Sequence, residues 1–443
     1  MRKKIRIGCG AGFSGDRLEP ARVLVEQGDL DYLVLECLAE RTIALAQKRK
    51  QKDAALGYDP LLERRIDILL EPLLRKKVTL ITNMGAANPI AAAQRIVAVA
   101  KSRDLPVSIV AVTGDDVFTL LTGNELATET GRPIKEAGTL LSANAYLGVE
   151  GILDALRLRP NIIITGRVAD PSLFLAPMIH AFNWSRDDFN LLGQGTVVGH
   201  LLECAGQITG GYFADPPLKA VPDMEHLGHP FADVSEDGTA LISKVAGTGG
   251  VVNLHTAKEQ LLYEVVNPHA YFTPDVVANF TTVRLEQVGP DVVKVSGGSG
   301  TTRPPTFKTS VGYQALFLGE GEITYAGPNA LARARHAGDI VQKRLTPFFT
   351  DLRVDLIGHN SVHGESFIAQ QQPYEVRLRI AGKALTAEQA ALVGEEVEAL
   401  YTNGPAGGGG VRKYVNEVVG IVSVLLDRSK VVHQTNQYRH ETL

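Results

Sequence analysis

The amino-acid sequence predicts an α/β fold: a doubly wound, mostly parallel sheet in an N-terminal domain, and a second α+β domain. Short apolar runs alternate with helical patterns over the first half of the chain. The runs are continuously apolar, which is typical of strands covered by helices on both faces. From about residue 210 turn signals become denser and strands shorter. The predicted domains are therefore 1–210 and 211–443.

Five strands are predicted in the first domain, each leading into a helical pattern. Asp16 is placed to cap the first helix, and Pro89 stands at an early position of a later one. A barrel is the alternative to the open sheet, because the same alternation builds both. The predicted strands are residues 4–9, 31–37, 78–83, 107–113 and 161–166.

The second domain ends in a predicted strand–helix–strand unit. Residues 374–382 alternate apolar and polar side chains, 386–401 have a helical pattern, and 418–427 are strongly apolar. This unit could complete the second domain or form a contact between subunits, and we expect a homo-oligomer.

Composition argues against several partners and structural classes for this protein. Basic and acidic residues number 45 and 49, so the net charge is −4 and no nucleic-acid partner is expected. The sequence has no long apolar run and no signal-peptide pattern, which predicts a cytoplasmic protein without a membrane partner. The three cysteines, Cys9, Cys37 and Cys204, form no CxxC pair, which argues against a disulfide framework or a zinc knuckle.

Polar residues stand just beyond the carboxyl ends of the predicted strands. They are Glu36, Asn83, Asp115, and Arg167 with Asp170. Turns favour such residues in any protein, but ligands of parallel α/β sheets bind at this edge. We therefore expect several of them to line a site. Arg167 could clamp a substrate carboxylate, or it could pair with Asp170 and order the loop.

A glycine-rich turn follows the first strand. Gly10, Gly12 and Gly15 match G-x-G-x-x-G, and amides near Gly12 and Ser14 could hold a phosphate or carboxylate. With Glu36 about twenty residues on, the pattern superficially fits a dinucleotide site. The acidic Asp16 at the helix start would repel a pyrophosphate, so no nucleotide or other cofactor is predicted.

His200, Glu203 and Cys204 share one face if their segment is helical. This spacing suits a histidine base oriented by a carboxylate, and it also suits a metal pair. The alternative is a buried structural helix with Cys204 in the core. We favour acid–base chemistry.

A second glycine-rich turn, 247–250, could supply substrate-binding amides. Gly249 and Gly250 would form the anion nest or oxyanion hole, and His255 follows closely.

Eight segments of the sequence resemble the acyclic terpene utilisation protein A (AtuA) family, and together they span nearly the whole chain. They are CGAGFSGDRLEPA (9–21), LDYLVLECLAERTIALAQ (30–47), ITNMGAANP (81–89), ITGRVADPSLFLAP (164–177), GHLLECAGQITGGYFADP (199–216), GTGG (247–250), EQLLYEV (259–265) and DLIGHNSVHG (355–364).

The resemblance implies a role in the catabolism of branched carboxylic acids or their CoA thioesters. We predict a lyase, a hydratase or dehydratase, with His200 or Glu203 as general base. Asn83 and Asp115 would orient the hydroxyl or water, and Arg167 would hold the carboxylate or carbonyl of the small-molecule substrate. The alternatives are a metal-dependent hydrolase, a non-catalytic partner subunit of an acyl-CoA pathway complex, and a nicotinamide oxidoreductase that would use Glu36.

Overall fold

The computed structural model describes residues 3–364 and 373–441 and has a mixed α/β fold. The helices are α1 Glu19–Gln27, α2 Glu40–Lys52, α3 Leu62–Lys76, α4 Pro89–Ser102, α5 Glu150–Arg157, α6 Ser172–Phe182, α7 Phe189–Glu203, α8 Leu254–Leu262, α9 Ala330–Leu345 and α10 Ala387–Asn403. The strands are β1 Lys4–Ala11, β2 Tyr32–Leu35, β3 Thr79–Thr82, β4 Val107–Thr113, β5 Thr139–Ala145, β6 Ile162–Thr165, β7 Pro230–Ser235, β8 Ala240–Lys244, β9 Tyr271–Phe272, β10 Val277–Asn279, β11 Arg284–Gly289, β12 Val292–Ser296, β13 Ser299–Thr301, β14 Thr306–Ala326, β15 Leu352–Ile357, β16 Glu375–Ala384, β17 Gly409–Asp427 and β18 Gln434–His440.

The chain forms two compact units, and their boundary differs from the predicted one at residue 210. The first unit comprises Met1–Glu136, Leu141–Gly312 and Ile421–Leu443, and the second Ala137–Leu140 and Tyr313–Gly420. Residues just after 210 stay in the first unit because β7 pairs with β1 and β8 pairs with β7. The denser turn signals and shorter strands after residue 210 therefore mark a change of strand direction inside one sheet.

The first unit is built on a ten-stranded sheet in the order β11-β12-β8-β7-β1-β2-β3-β6-β4-β18. The central strands β1, β2, β3, β6 and β4 are parallel. The other pairings in the sheet are antiparallel. The sheet is thus mixed, and the prediction of a mostly parallel sheet holds only for its centre. The edge strand β18, QTNQYRH, was missed because it has no apolar pattern.

The core of the first unit lies against the parallel strands. Leu33, Leu80 and Ile162 are completely buried and pack with the apolar faces of α1, α3 and α4. Burying each such side chain contributes about 1.5 to 3 kcal/mol. Asp16 does not cap α1: the cap position is Leu18, and Asp16 accepts the amide of Gly12 instead.

The second unit contains a sheet in the order β15-β16-β14-β17, which β5 joins by pairing with β14. Its core includes Tyr325, Val341, Leu378 and Val397, from the sheet and from α9 and α10. The predicted strand–helix–strand unit corresponds to β16, α10 and β17. In neither described stretch of the chain is any helix both long and apolar enough to cross a membrane.

Candidate active site

The parallel strands of the first unit end along one edge of the sheet, and a predicted site residue follows each end. Gly12 follows β1, Glu36 follows β2, Asn83 follows β3, Asp115 follows β4, and Arg167 follows β6. The register brings these ends side by side, with Leu35 opposite both Ala11 and Thr82, and Thr165 opposite Val112. This is the edge at which parallel α/β sheets bind ligands.

Glu36 and Asn83 form a buried pair at this edge. The Asn83 side-chain amide donates to Oε1 of Glu36 at 2.8 Å, and the Leu38 amide donates to the same oxygen at 2.8 Å. The carbonyl oxygen of Asn83 accepts the Cys37 amide. Burial, with the negative charge of Asp170, raises the pKa of Glu36 well above its usual value. Asn83 therefore fixes the orientation of Glu36, a carboxyl group whose protonated form is favoured by burial.

Arg167 is completely buried, and the protein itself occupies most of its guanidinium. Nε donates to the Val168 carbonyl oxygen at 2.8 Å, Nη1 donates to the Leu38 carbonyl, and Nη2 contacts Asp170. The guanidinium also stacks on the Tyr146 ring, 4.5 Å from its centroid. Arg167 was predicted to clamp a substrate carboxylate through two hydrogen bonds. In this arrangement its donors are engaged by the protein, so it does not form such a clamp. The alternative, an Arg167–Asp170 pair that orders the loop, is what the structure shows.

Asp115 holds the backbone of this loop. Its Oδ2 accepts the Arg167 amide at 2.9 Å and the Asn144 side-chain amide at 2.8 Å. A Cβ on Gly166 would lie 2.3 Å from Oδ1 of Asp115, so only glycine fits there. Burial raises the pKa of Asp115 to about 6. Asp115 is thus placed to position Arg167.

His200 and Glu203 form a buried pair on α7, as the helical spacing predicted. Nδ1 of His200 lies 3.0 Å from Oε1 of Glu203, and the imidazole packs against the rings of Tyr271 and Phe280. Burial lowers the pKa of His200 to about 4, so the imidazole is neutral at pH 7. Burial and the charge of Asp170 raise the pKa of Glu203 well above its usual value. In the described part of the chain, neither Nε2 of His200 nor Oε2 of Glu203 has a hydrogen-bond partner.

Close backbone contacts bring α7 to the strand ends. All residues from Leu192 to Glu203 are buried. A Cβ on Gly199 would come 2.9 Å from the carbonyl oxygen of Pro171, in the loop that carries Arg167 and Asp170. A Cβ on Gly12 would come 2.5 Å from the backbone of Cys204. Glycine at these two positions lets the end of α7 approach both β1 and the loop after β6.

We call Glu36, Asn83, Arg167, Asp170, His200 and Glu203 the strand-end cluster. Its carboxyl groups interact with one another, since Asp170 raises the pKa of both Glu36 and Glu203 while Arg167 lowers both. Asp170 is 35% exposed and gives the cluster contact with solvent. The arrangement can hold and move protons in a largely dry environment.

Four predicted binding residues lie apart from this cluster or are already engaged. The Gly12 amide donates to Asp16 at 3.0 Å, so an acidic side chain occupies the expected anion position. The Ser14 carbonyl accepts from Arg65. Gly249 donates its amide to His226, and Gly250 donates to Pro222, so these two amides form no open nest.

His255 also lies outside the cluster. It is exposed near the start of α8 and lines a different cavity, with Phe213, Lys219 and Glu259. Spacing along the sequence placed it near Gly250, but nothing in the pattern could show on which side of α8 it would lie.

Two tyrosines of this region carry no signal in the sequence pattern. Tyr146 stacks on Arg167 and donates its hydroxyl to Glu40 at 2.9 Å. Tyr271 contacts His200, and burial with the nearby charge of Glu203 raises the pKa of its hydroxyl. Neither residue follows a parallel strand, so the strand-end signal could not find them.

A comparison with protein families matches residues 5–437 to the family described as acyclic terpene utilisation family protein AtuA. The chain belongs to the AtuA family. The resemblance seen in the sequence segments is thereby confirmed over nearly the whole chain. Comparisons of this AtuA chain with curated proteins and with solved structures give no match.

The AtuA chain offers little for the metal alternative at His200. Over residues 3–364 and 373–441, the group with metal-ligand spacing is Asp223, Glu225 and His226, and all three are exposed. That group does not include His200 or Glu203, so the pair gains no third ligand from it.

Proposed function

We propose that this AtuA-family chain is a hydro-lyase, a hydratase or dehydratase that acts on a branched or hydroxylated carboxylic acid or its CoA thioester. The observation that supports this most directly is the buried His200–Glu203 pair with its two unpartnered polar atoms. Buried polar atoms normally have partners, and exceptions of this kind are typical of sites that receive a ligand or water.

His200 is the proposed general base. Its lowered pKa leaves it neutral at pH 7, and Glu203 fixes the ring through Nδ1. Nε2 is then the atom that takes the α-proton of a hydroxyacyl substrate. As Nε2 takes the α-proton, the Nδ1 proton of the ring shifts toward Oε1 of Glu203, and the burial that raises the pKa of Glu203 favours this shift.

Glu36 is the proposed general acid. Burial raises its pKa, which favours the protonated form that a general acid needs, and Asn83 holds the carboxyl group in place. In the dehydration direction the Cα–H bond breaks and its proton goes to His200. The carbon–carbon double bond forms, the Cβ–O bond breaks, and the hydroxyl leaves as water with the proton of Glu36. Hydration follows the same path in reverse, and proton exchange with solvent restores both groups.

The other predicted catalytic residues become positioning residues in this scheme. Asp115 holds the Arg167 amide, and Asn83 holds Glu36, so neither is needed to orient water. Arg167 contributes its charge and orders the loop, in place of a direct clamp on substrate. The partially exposed Asp170 marks the side from which a substrate would enter.

The central sheet is proposed to be doubly wound, which would put this chemistry at a ligand-binding edge. Ala111 of β4 packs in the core formed with α1, α3 and α4. The neighbouring Val112 meets Gly151 of α5, where a Cβ would lie 2.4 Å away. Because successive strand residues face opposite sides, helices cover both faces of β4.

The test is mass spectrometry of the purified protein with a panel of branched enoic acids, hydroxy acids and their CoA thioesters. A gain or loss of one water on any member supports the proposal and names the substrate class. No change on any member, with folded protein, contradicts it and favours the alternative of a partner subunit.

A cytoplasmic location and a homo-oligomeric state stay predictions.

A further inference from the structure

A second site in the first unit is rich in arginine. A cavity of about 200 Å³ is lined by Arg186, Arg303 and Arg428, together with Glu150 and His433. These five side chains come from four separate stretches of the sequence, so no motif pointed to them. We call this the arginine cavity.

The arginine cavity carries more positive than negative charge. Oε1 of Glu150 contacts all three guanidiniums: it pairs with Arg186, lies 3.1 Å from Arg428 and lies 3.9 Å from Arg303. His433 contributes no negative charge to the cavity. Its Nε2 lies 2.9 Å from Asp154. Three guanidiniums therefore share one carboxylate.

A second acid, Asp275, offsets part of this charge, because it interacts electrostatically with both Arg186 and Arg428. Asp275 is buried and accepts the Val149 amide at 2.9 Å through Oδ1 and the Ser172 hydroxyl through Oδ2. It does not line the cavity. Its two oxygens stabilise the loop before α5 and the start of α6.

The guanidinium of Arg428 is held in place before any ligand arrives. Arg428 donates through Nη1 to the Pro274 carbonyl at 2.7 Å and stacks over the Phe307 ring at 4.1 Å. Arg303 is different. Among residues 3–364 and 373–441 its side chain makes no hydrogen bond, and its partner is Glu150 at 3.9 Å. Its donors remain available at the cavity.

We propose that the arginine cavity binds a phosphate dianion, either free or as the phosphoryl group of a larger ligand. Planar guanidiniums match phosphate oxygens bidentately, and three of them around one cavity exceed what Glu150 neutralises. A water molecule occupies about 30 Å³, so the cavity has room for a phosphate and ordered water. The first turn of α5 also lines it, and helix N-termini favour anions.

This inference goes beyond the proposed reaction and does not depend on it. The two sites are nevertheless linked by a short segment of chain. Tyr146 stacks on Arg167 in the strand-end cluster, and the next residue, Leu147, lines the arginine cavity.

The experiment is calorimetric titration of the full chain with sodium phosphate at constant ionic strength. Arg303→Gln is the main variant because its side chain has no hydrogen bond to lose among the described residues. Arg284→Gln, an exposed arginine of β11 in the same unit, is the matched control. We expect Arg303→Gln to weaken phosphate binding about 10- to 100-fold and the control to change it less than about twofold.

Glu150→Gln gives an independent readout of opposite sign. Removing the carboxylate should strengthen phosphate binding several-fold, because the excess positive charge rises. Undetectable phosphate binding, or equal binding by Arg303→Gln and Arg284→Gln, would overturn the proposal.

The source of the phosphate is separated by two further probes. If coenzyme A binds more tightly than inorganic phosphate and dephospho-coenzyme A loses that advantage, the site takes the 3′-phosphoryl group of a larger ligand. If inorganic phosphate binds at least as tightly as coenzyme A, the site takes the free ion. In both cases Arg303→Gln must weaken binding.

Discussion

The strand-end cluster and the arginine cavity are made from the same two kinds of side chain in opposite proportions. In the cluster, Glu36, Asp170 and Glu203 surround the single guanidinium of Arg167. In the cavity, three guanidiniums share the carboxylate of Glu150. Both lie in the first unit, at opposite ends of the segment 146–150.

The two excesses of charge are relieved in different ways. A buried carboxyl group without a cation can take up a proton, and burial raises the pKa of Glu36 and Glu203 accordingly. A guanidinium cannot give up its proton at physiological pH, even though burial and the charge of Arg303 lower the pKa of Arg428. The acidic cluster therefore binds protons more readily than exposed carboxyl groups do, whereas the arginine cavity keeps its positive charge for an anion.

The largest expected effect concerns the proposed base. His200→Gln keeps the size of the side chain between Tyr271 and Phe280 and can still contact Glu203, but it cannot accept the α-proton. Turnover of the substrate identified by the water-exchange panel should fall about 10²- to 10⁴-fold. The melting temperature shows whether the fold is intact. Turnover within about threefold of wild type would show that His200 is not the general base.

The next effect compares single arginine removals in the two regions. Arg167→Gln leaves Asp170 and two buried carbonyl oxygens without their donor, so the free energy of unfolding should fall by about 3 to 5 kcal/mol. Arg303→Gln removes one of three like charges and should change it by less than about 0.5 kcal/mol. Urea denaturation of both variants measures the difference. An equal decrease in the free energy of unfolding for both variants would show that Arg167 and Arg303 contribute equally to stability.

The smallest effect is a change in pH dependence. Because the folded-state pKa of Glu203 lies above its unfolded value, the native state holds this proton more tightly than the unfolded state. Wild-type stability should therefore fall as pH rises from the unfolded pKa through the folded one. Glu203→Gln lacks this loss, so its stability relative to wild type should increase as the pH rises above the unfolded-state pKa of a glutamate, about 4.3.

The matched control for this titration is Glu63→Gln. Glu63 is partly exposed, and its hydrogen bond with Arg95 lowers its pKa, so a small change of opposite sign is expected. A flat difference for Glu203→Gln would mean that burial does not raise the pKa of Glu203 in the folded state.

Strand ends were the part of the site most accessible to sequence analysis. Glu36, Asn83, Asp115 and Arg167 follow continuous apolar runs, and a parallel register places such ends together. The i,i+3 spacing of His200 and Glu203 likewise predicted a shared helix face. Gly249, Gly250 and His255 came from local turn patterns alone, and local patterns do not specify which part of the sheet a turn approaches.

What the sequence determined by itself is local: the strands of the parallel centre, the helices between them and the family to which the chain belongs. Apolar periodicity and turn chemistry act over a few residues, so they can be recognised without the fold. Only the tertiary structure determined that the protein itself engages the guanidinium of Arg167. It also determined that Glu36 and Glu203 are buried close to the same aspartate, Asp170. It also brought Arg186, Arg303 and Arg428 to one cavity. Charge balance and burial depend on residues far apart in the chain, and only packing brings those residues together.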